Sequence, residues 1–142
     1  MEFVSRSNGF YGDIITYRWR LDELQSRKAC IDFMLEVTDW YRLDRVECWE
    51  SFVAVKDPQV FTFTSKKEFA DKTDELATRH LDEITIYWYI GKEIAGVHIV
   101  PCWGKAEGNY VSVFGQEYAV KEISQKIALL LSDKTFGDGD AP

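Results

Sequence analysis

The chain holds two imidazoles, His80 and His98, and their surroundings bound the proton chemistry open to it. His98 lies in an alternating stretch that follows Gly91-Lys92, a pair suited to a two-residue II′ turn. Such a turn sets Tyr89 opposite Ile94, Trp88 opposite Ala95, Tyr87 opposite Gly96 and Thr85 opposite His98. On this register Thr85, Tyr87, Tyr89 and His98 share one face of a sheet, and an imidazole beside a phenol can relay a proton. No nucleophile or oxyanion donor accompanies the cluster, however, and the same residues are ordinary cross-strand packing partners. Asp82-Glu83 adds two carboxylates that could serve His80 or act as an acid and base pair, although adjacent acids between a helix and a strand are commonly just solvated. The balance is against an enzyme.

Other site chemistries find little support. Cys30, Cys48 and Cys102 form no CxxC, CxH or HxxxH spacing with one another or with the histidines, so no metal site is expected. Their odd number and apolar neighbours suit reduced, buried thiols in a reducing compartment. Residues 10–12 and 104–108 are glycine-containing but lack the features that cradle a phosphate, so no cofactor is expected. Gln25, Lys28, Asp32, Glu36 and Asp39 recur every three or four residues and so share one side of a helix. That stripe reads either as a solvated face or as a contact for a basic partner.

The elements that must position these groups are legible from periodicity. Residues 84–90 alternate with Ile84, Ile86, Trp88 and Ile90 on one face and Thr85, Tyr87 and Tyr89 on the other, which is a strand with one dry face. Residues 83–114 then read as a three-stranded meander, with Gly96 in mid-strand leaving room for the Tyr87 ring and Pro101 ending regular pairing. In its last strand either Val111 and Val113 or Tyr110 and Phe114 turn inward; alternation alone does not choose. Residues 13–20 alternate Ile15, Tyr17 and Trp19 against Ile14, Thr16 and Arg18, a strand with an aromatic face, and residues 45–55 read as a strand covered on both sides. A short strand is weakly marked before residue 12.

Helical spacing marks residues 21–43, apolar over most of the circumference, and residues 117–132, with Val120, Ile123, Ile127, Leu130 and Leu131 on one side. Between them Ser65-Lys66-Lys67-Glu68 fits a capping box, opening a surface helix with Phe69, Thr73, Leu76 and His80 on one side. The fold class expected is α+β: a mainly antiparallel sheet of five to six strands with two or three packed helices, in the order β-α-β-β-α-β-β-β-α. The sheet is expected to carry two helices on one face and a partial cover on the other, the first helix being the candidate cover for the tyrosines. Residues 1–136 form a single domain in this reading, and residues 137–142, Gly-Asp-Gly-Asp-Ala-Pro, have nothing to bury and form a disordered tail.

Composition orders the function classes. A chain of 142 residues is the length of one ordinary domain, and five Trp, seven Tyr and nine Phe make its packing and its contact surfaces unusually aromatic. The net charge of −7 argues against nucleic acid, whose binding relies on Lys and Arg neutralising phosphates. No segment has the length and apolarity of a signal peptide core or a membrane span, which together with the cysteines implies a cytoplasmic protein. The class implied first is a small acidic protein-binding domain, such as an immunity protein or inhibitor that covers a basic toxin or enzyme surface. Its candidate contact residues are Asp32, Glu36, Asp39, Tyr87, Tyr89 and His98. Two other classes are implied by the same aromatics: a small-molecule binder or enzyme with Tyr87, Tyr89, His98 and Tyr17 lining a pocket, and a structural subunit that buries them against a copy of itself.

Overall fold

The computed structural model describes residues 1–9, 14–100 and 109–136. In chain order its elements are β1 (Glu2–Asn8), β2 (Ile15–Leu21), α1 (Arg27–Val37), β3 (Arg42–Glu50), β4 (Val60–Phe63), α2 (Lys66–Leu76), β5 (Leu81–Ile90), β6 (Glu93–Val100), β7 (Asn109–Gly115) and α3 (Glu117–Asp133). The strands form one antiparallel sheet ordered β1-β2-β7-β6-β5-β3-β4. Residues 10–12, Pro101, Cys102, and the segments 104–108 and 137–142, read from the sequence as a turn and a disordered tail, lie outside the described residues.

The class is α+β, and the sheet has seven strands where five to six were expected. The addition is β1, an edge strand exposed along its whole length, whose register with β2 shifts between Phe3 and Ser5. An edge strand that buries nothing has no reason to alternate, so periodicity barely marks it.

The β5–β6 hairpin pairs Thr85 with His98, Tyr87 with Gly96, Trp88 with Ala95 and Tyr89 with Ile94, the register read from Gly91-Lys92. Gly91 has φ +65° and no described non-glycine residue has positive φ, as a II′ turn requires. Ile84, Ile86 and Trp88 face inward with Val97 and Ile99, and β7 resolves its open choice by turning Val111 and Val113 inward. Tyr110 and Phe114 therefore join the tyrosine side. Gly96 makes room for the Phe114 ring from β7, not for Tyr87: a Cβ there would lie 2.5 Å from Phe114 Cζ and would collide with the Ile86 carbonyl.

Among the described residues all three helices lie on the inward face. Phe33, Met34 and Val37 of α1 are fully buried there, and Trp88 Nε1 donates to the Thr38 carbonyl just past the helix at 2.7 Å. Helix α3 packs on β7 and β2, and Phe69 of α2 stacks on Phe63 of β4 at 5.6 Å. The expected partial cover of the other face is thus overturned, since a helix anchored to Trp88 cannot also reach Tyr87, which alternation turns to the opposite side.

Three further boundaries differ from the sequence reading, and one is the end of α2, which stops at Leu76 and leaves His80 outside the helix. Helix α1 spans 11 residues instead of 21–43, because Ser26 caps its N-terminus by accepting from the Ala29 amide at 3.0 Å and the preceding segment buries Leu21 and Leu24 without helix. Strand β3 ends at Glu50, and only its Val46 and Cys48 side is packed against helices; Glu47 and Trp49 look the other way. At α2 the Ser65 hydroxyl accepts from the Glu68 amide at 3.2 Å, as a capping box requires. The Glu68 carboxylate, however, accepts from the Thr64 and Ser65 hydroxyls and not from the Ser65 amide.

Candidate functional site

Register decides which side chains meet on the uncovered face of the sheet. Tyr87 lies near its middle, between Arg45 on β3 and Gly96 on β6. The Arg45 guanidinium sits 3.9 Å above the Tyr87 ring centroid, and Phe114 meets the same ring edge-on at 5.6 Å. Arg45 is held in turn by Asp44 and by Glu47, whose Oε1 accepts from its Nε at 3.1 Å. The motif repeats on both sides: Arg42 lies over Tyr89 at 4.7 Å and Arg18 over Tyr110 at 4.2 Å. Each stacked pair restrains two long side chains and holds an aromatic ring ready for contact.

These neighbours shift the phenols in one direction. Burial and the nearby Glu47 carboxylate push Tyr87 above the ordinary tyrosine value, and a hydrogen bond to Asp44 does the same for Tyr89. Both stay neutral donors through the physiological range. Neither is an activated base.

His98 completes the face. The Thr85 hydroxyl and His98 Nδ1 share a hydrogen bond of 2.7 Å, and His98 Nε2 lies 3.7 Å from Glu83 Oε2. Burial lowers the imidazole pKa below its ordinary 6.5 while Glu83 pulls the other way, and burial is the larger effect. The imidazole is therefore predominantly neutral at pH 7. Glu83 serves His98 and not His80, whose Nδ1 lies 3.3 Å from an Arg27 nitrogen instead. Thr85 is buried, which leaves its hydroxyl to orient the imidazole and keeps it from a substrate.

The six candidate contact residues do not form one surface. Tyr87, Tyr89 and His98 share the open face, whereas Asp32, Glu36 and Asp39 belong to the helix layer behind it. Each of those three carboxylates has a lysine partner: Lys28 with Asp32 at 2.9 Å, Lys134 with Glu36 at 3.0 Å and Lys66 with Asp39 at 3.3 Å. The acidic stripe is thus locally neutralised, by lysines that sequence spacing does not link to it except for Lys28. Tyr17 also leaves the tyrosine face, since it pairs with Val113 and turns to the helix side.

Sequence reasoning missed Arg18, Arg42, Arg45 and Glu47 as members of the face, and left Tyr110 and Phe114 open until the β7 register placed them there. Arg18 and Arg20 alternate on β2 and were a visible signal, but Arg42 and Arg45 are three positions apart and share the face only through the register shift between Leu43 and Arg45, which strict alternation does not show. Among the described residues no group of three metal-ligating side chains converges, and no helix is long and apolar enough to cross a membrane. Comparison of the chain with family models, with curated proteins and with solved structures finds no match.

Proposed function

We propose that the protein is a non-enzymatic protein-binding domain, of the inhibitor or immunity type, that acts in the cytoplasm and seats a basic partner protein on the open face of its sheet. The observation that carries this reading is an uncovered face whose tyrosines are each restrained beneath an arginine. Tyr, Trp and Arg are the residues that dominate interface energetics, and Trp49, Tyr87, Tyr89 and Tyr110 stand on this face with Arg18, Arg42 and Arg45. Seven strands about 4.8 Å apart and about seven residues long offer on the order of 700 Å², close to the roughly 800 Å² per partner of a standard interface. The net charge of −7 supports a basic partner by long-range attraction, to which the lysine-paired Asp32, Glu36 and Asp39 stripe adds little, and the stripe lies away from the contact. The buried Cys48 thiol suits a reducing compartment.

A second reading has one observation in its favour. On the open face Arg18, Arg20, Arg42 and Arg45 are matched by Glu2, Asp44, Glu47 and Glu83, so two copies could meet there without repulsion. A photo-crosslinking amino acid placed at Ser112 on the open face, and separately at exposed Ala70 on α2, separates the two. The leading reading expects Ser112, and not Ala70, to capture one basic protein, with the yield falling as salt rises. Capture of a second copy of the chain favours the homo-oligomer instead, and capture from Ala70 alone contradicts both.

A further inference from the structure

The helix layer stops short of one edge of the sheet, and the shortfall leaves a cleft on the side opposite the open face. Helix α3 packs on β7 and β2, while β1 is exposed along its length and meets α3 through the Arg6–Glu117 pair at 3.9 Å. Phe3 is consequently half exposed and packs edge-on against Tyr17 and Trp19, at 5.4 and 5.1 Å. Between these strands and α3 lies a cleft of about 300 Å³, floored by Tyr17 and Trp19, closed at one end by Met1 and walled by Ser124 and Ala128, with Lys121 and Gln125 at its rim.

We propose that this cleft binds a flat aryl anion, an aromatic ring system bearing one carboxylate or sulfonate. The volume lies at the small end of ordinary ligand sites and suits two or three fused or linked rings. Few polar groups face its interior, and one of them, Trp19 Nε1, already donates to the Ser124 hydroxyl at 3.1 Å. The body of the ligand is therefore recognised by apolar and aromatic contact with Tyr17, Trp19 and the Met1 thioether. Charge recognition falls to the rim. There Lys121 pairs with Glu117 at 3.2 Å, an exposed pair one helical turn apart that contributes little in water and is readily exchanged for a ligand anion. Ala128 makes the concavity: a small side chain at an outward helical position leaves open the space that a larger one would occupy.

The test uses 8-anilinonaphthalene-1-sulfonate with the full chain under native conditions. Saturable one-site fluorescence enhancement is expected, weakened about tenfold or more by Ala128→Phe, which fills the cleft without touching the core. Lys121→Glu is expected to weaken the sulfonate probe several-fold while leaving uncharged N-phenyl-1-naphthylamine unaffected. Unchanged circular dichroism and Tm in each variant separate cleft filling from unfolding. Equal binding by wild type and Ala128→Phe, or no saturable enhancement at all, overturns the site; equal sensitivity of both probes to Lys121→Glu overturns the anion.

Discussion

His98 is held neutral by its burial and aimed by two neighbours, the Thr85 hydroxyl on one nitrogen and the Glu83 carboxylate near the other. The groups that face it are Glu83 and Tyr87 on β5, Ser112 and Tyr110 on β7, and, one strand further on each side, Glu47 on β3 and Arg18 on β2. Because its folded-state pKa lies below the ordinary 6.5, the unfolded chain binds this proton first as pH falls. The stability that the neutral ring contributes is whole above pH 6.5 and is lost as pH falls through the lower folded-state value. Urea unfolding between pH 7.5 and 5 is therefore expected to show a smaller loss of stability in His98→Asn than in wild type. An equal or larger loss in the variant refutes the assignment. That His98 meets Thr85 was legible from a two-residue turn between alternating runs, because hairpin register is a local property. Its Glu83 contact was not, since Glu83 lies fifteen residues away and the sequence offers His80 as the nearer partner.

Local periodicity worked best for elements with one buried face. Strand β5, the β5–β6 hairpin and α3 are where alternation and helical spacing place them, because each turns a single apolar side to the core. Strand β1 buries nothing and carries little pattern. Helix α1 is shorter than its apolar spacing because the residues before it are buried by other means: Asn109 Nδ2 donates to the Leu24 carbonyl, a contact across 85 residues that no window reveals. Strand β3 looked covered on both sides because Trp49 turns to the open face, where an aromatic ring serves contact and not the core. The junction of β5, β6 and β7 at Gly96 is the tightest test of the observed layering. Gly96→Ala puts a methyl group against the Ile86 carbonyl and the Phe114 ring, and overpacking of this kind costs about 1–3 kcal/mol. Thermal unfolding should show that loss, and a variant as stable as wild type contradicts the packing of Phe114 over the strand.

At the scale of the whole molecule the sheet separates two surfaces of different character. Behind it lie the helices, with paired charges such as Lys134–Glu36 and Lys66–Asp39 on their outer sides. In front lies a face that no helix covers among the described residues, where stacked arginine and tyrosine side chains alternate with carboxylates. Net charge and aromatic content were available from composition, but their distribution was not, because it depends on which side of the sheet each helix takes. The proposed division of labour, contact through the open face and attraction through the overall field, makes unequal demands on two of the candidate residues. The most direct measurement is calorimetric titration of the basic protein captured at Ser112 against the Tyr87→Ala and Glu36→Lys variants. Loss of a central anchor should weaken binding about 30-fold or more for Tyr87→Ala, the scale of an interface hot spot. A screened charge on the far layer should change it about threefold or less for Glu36→Lys. The reverse ranking, with Glu36→Lys abolishing binding and Tyr87→Ala leaving it intact, contradicts the open face as the docking surface.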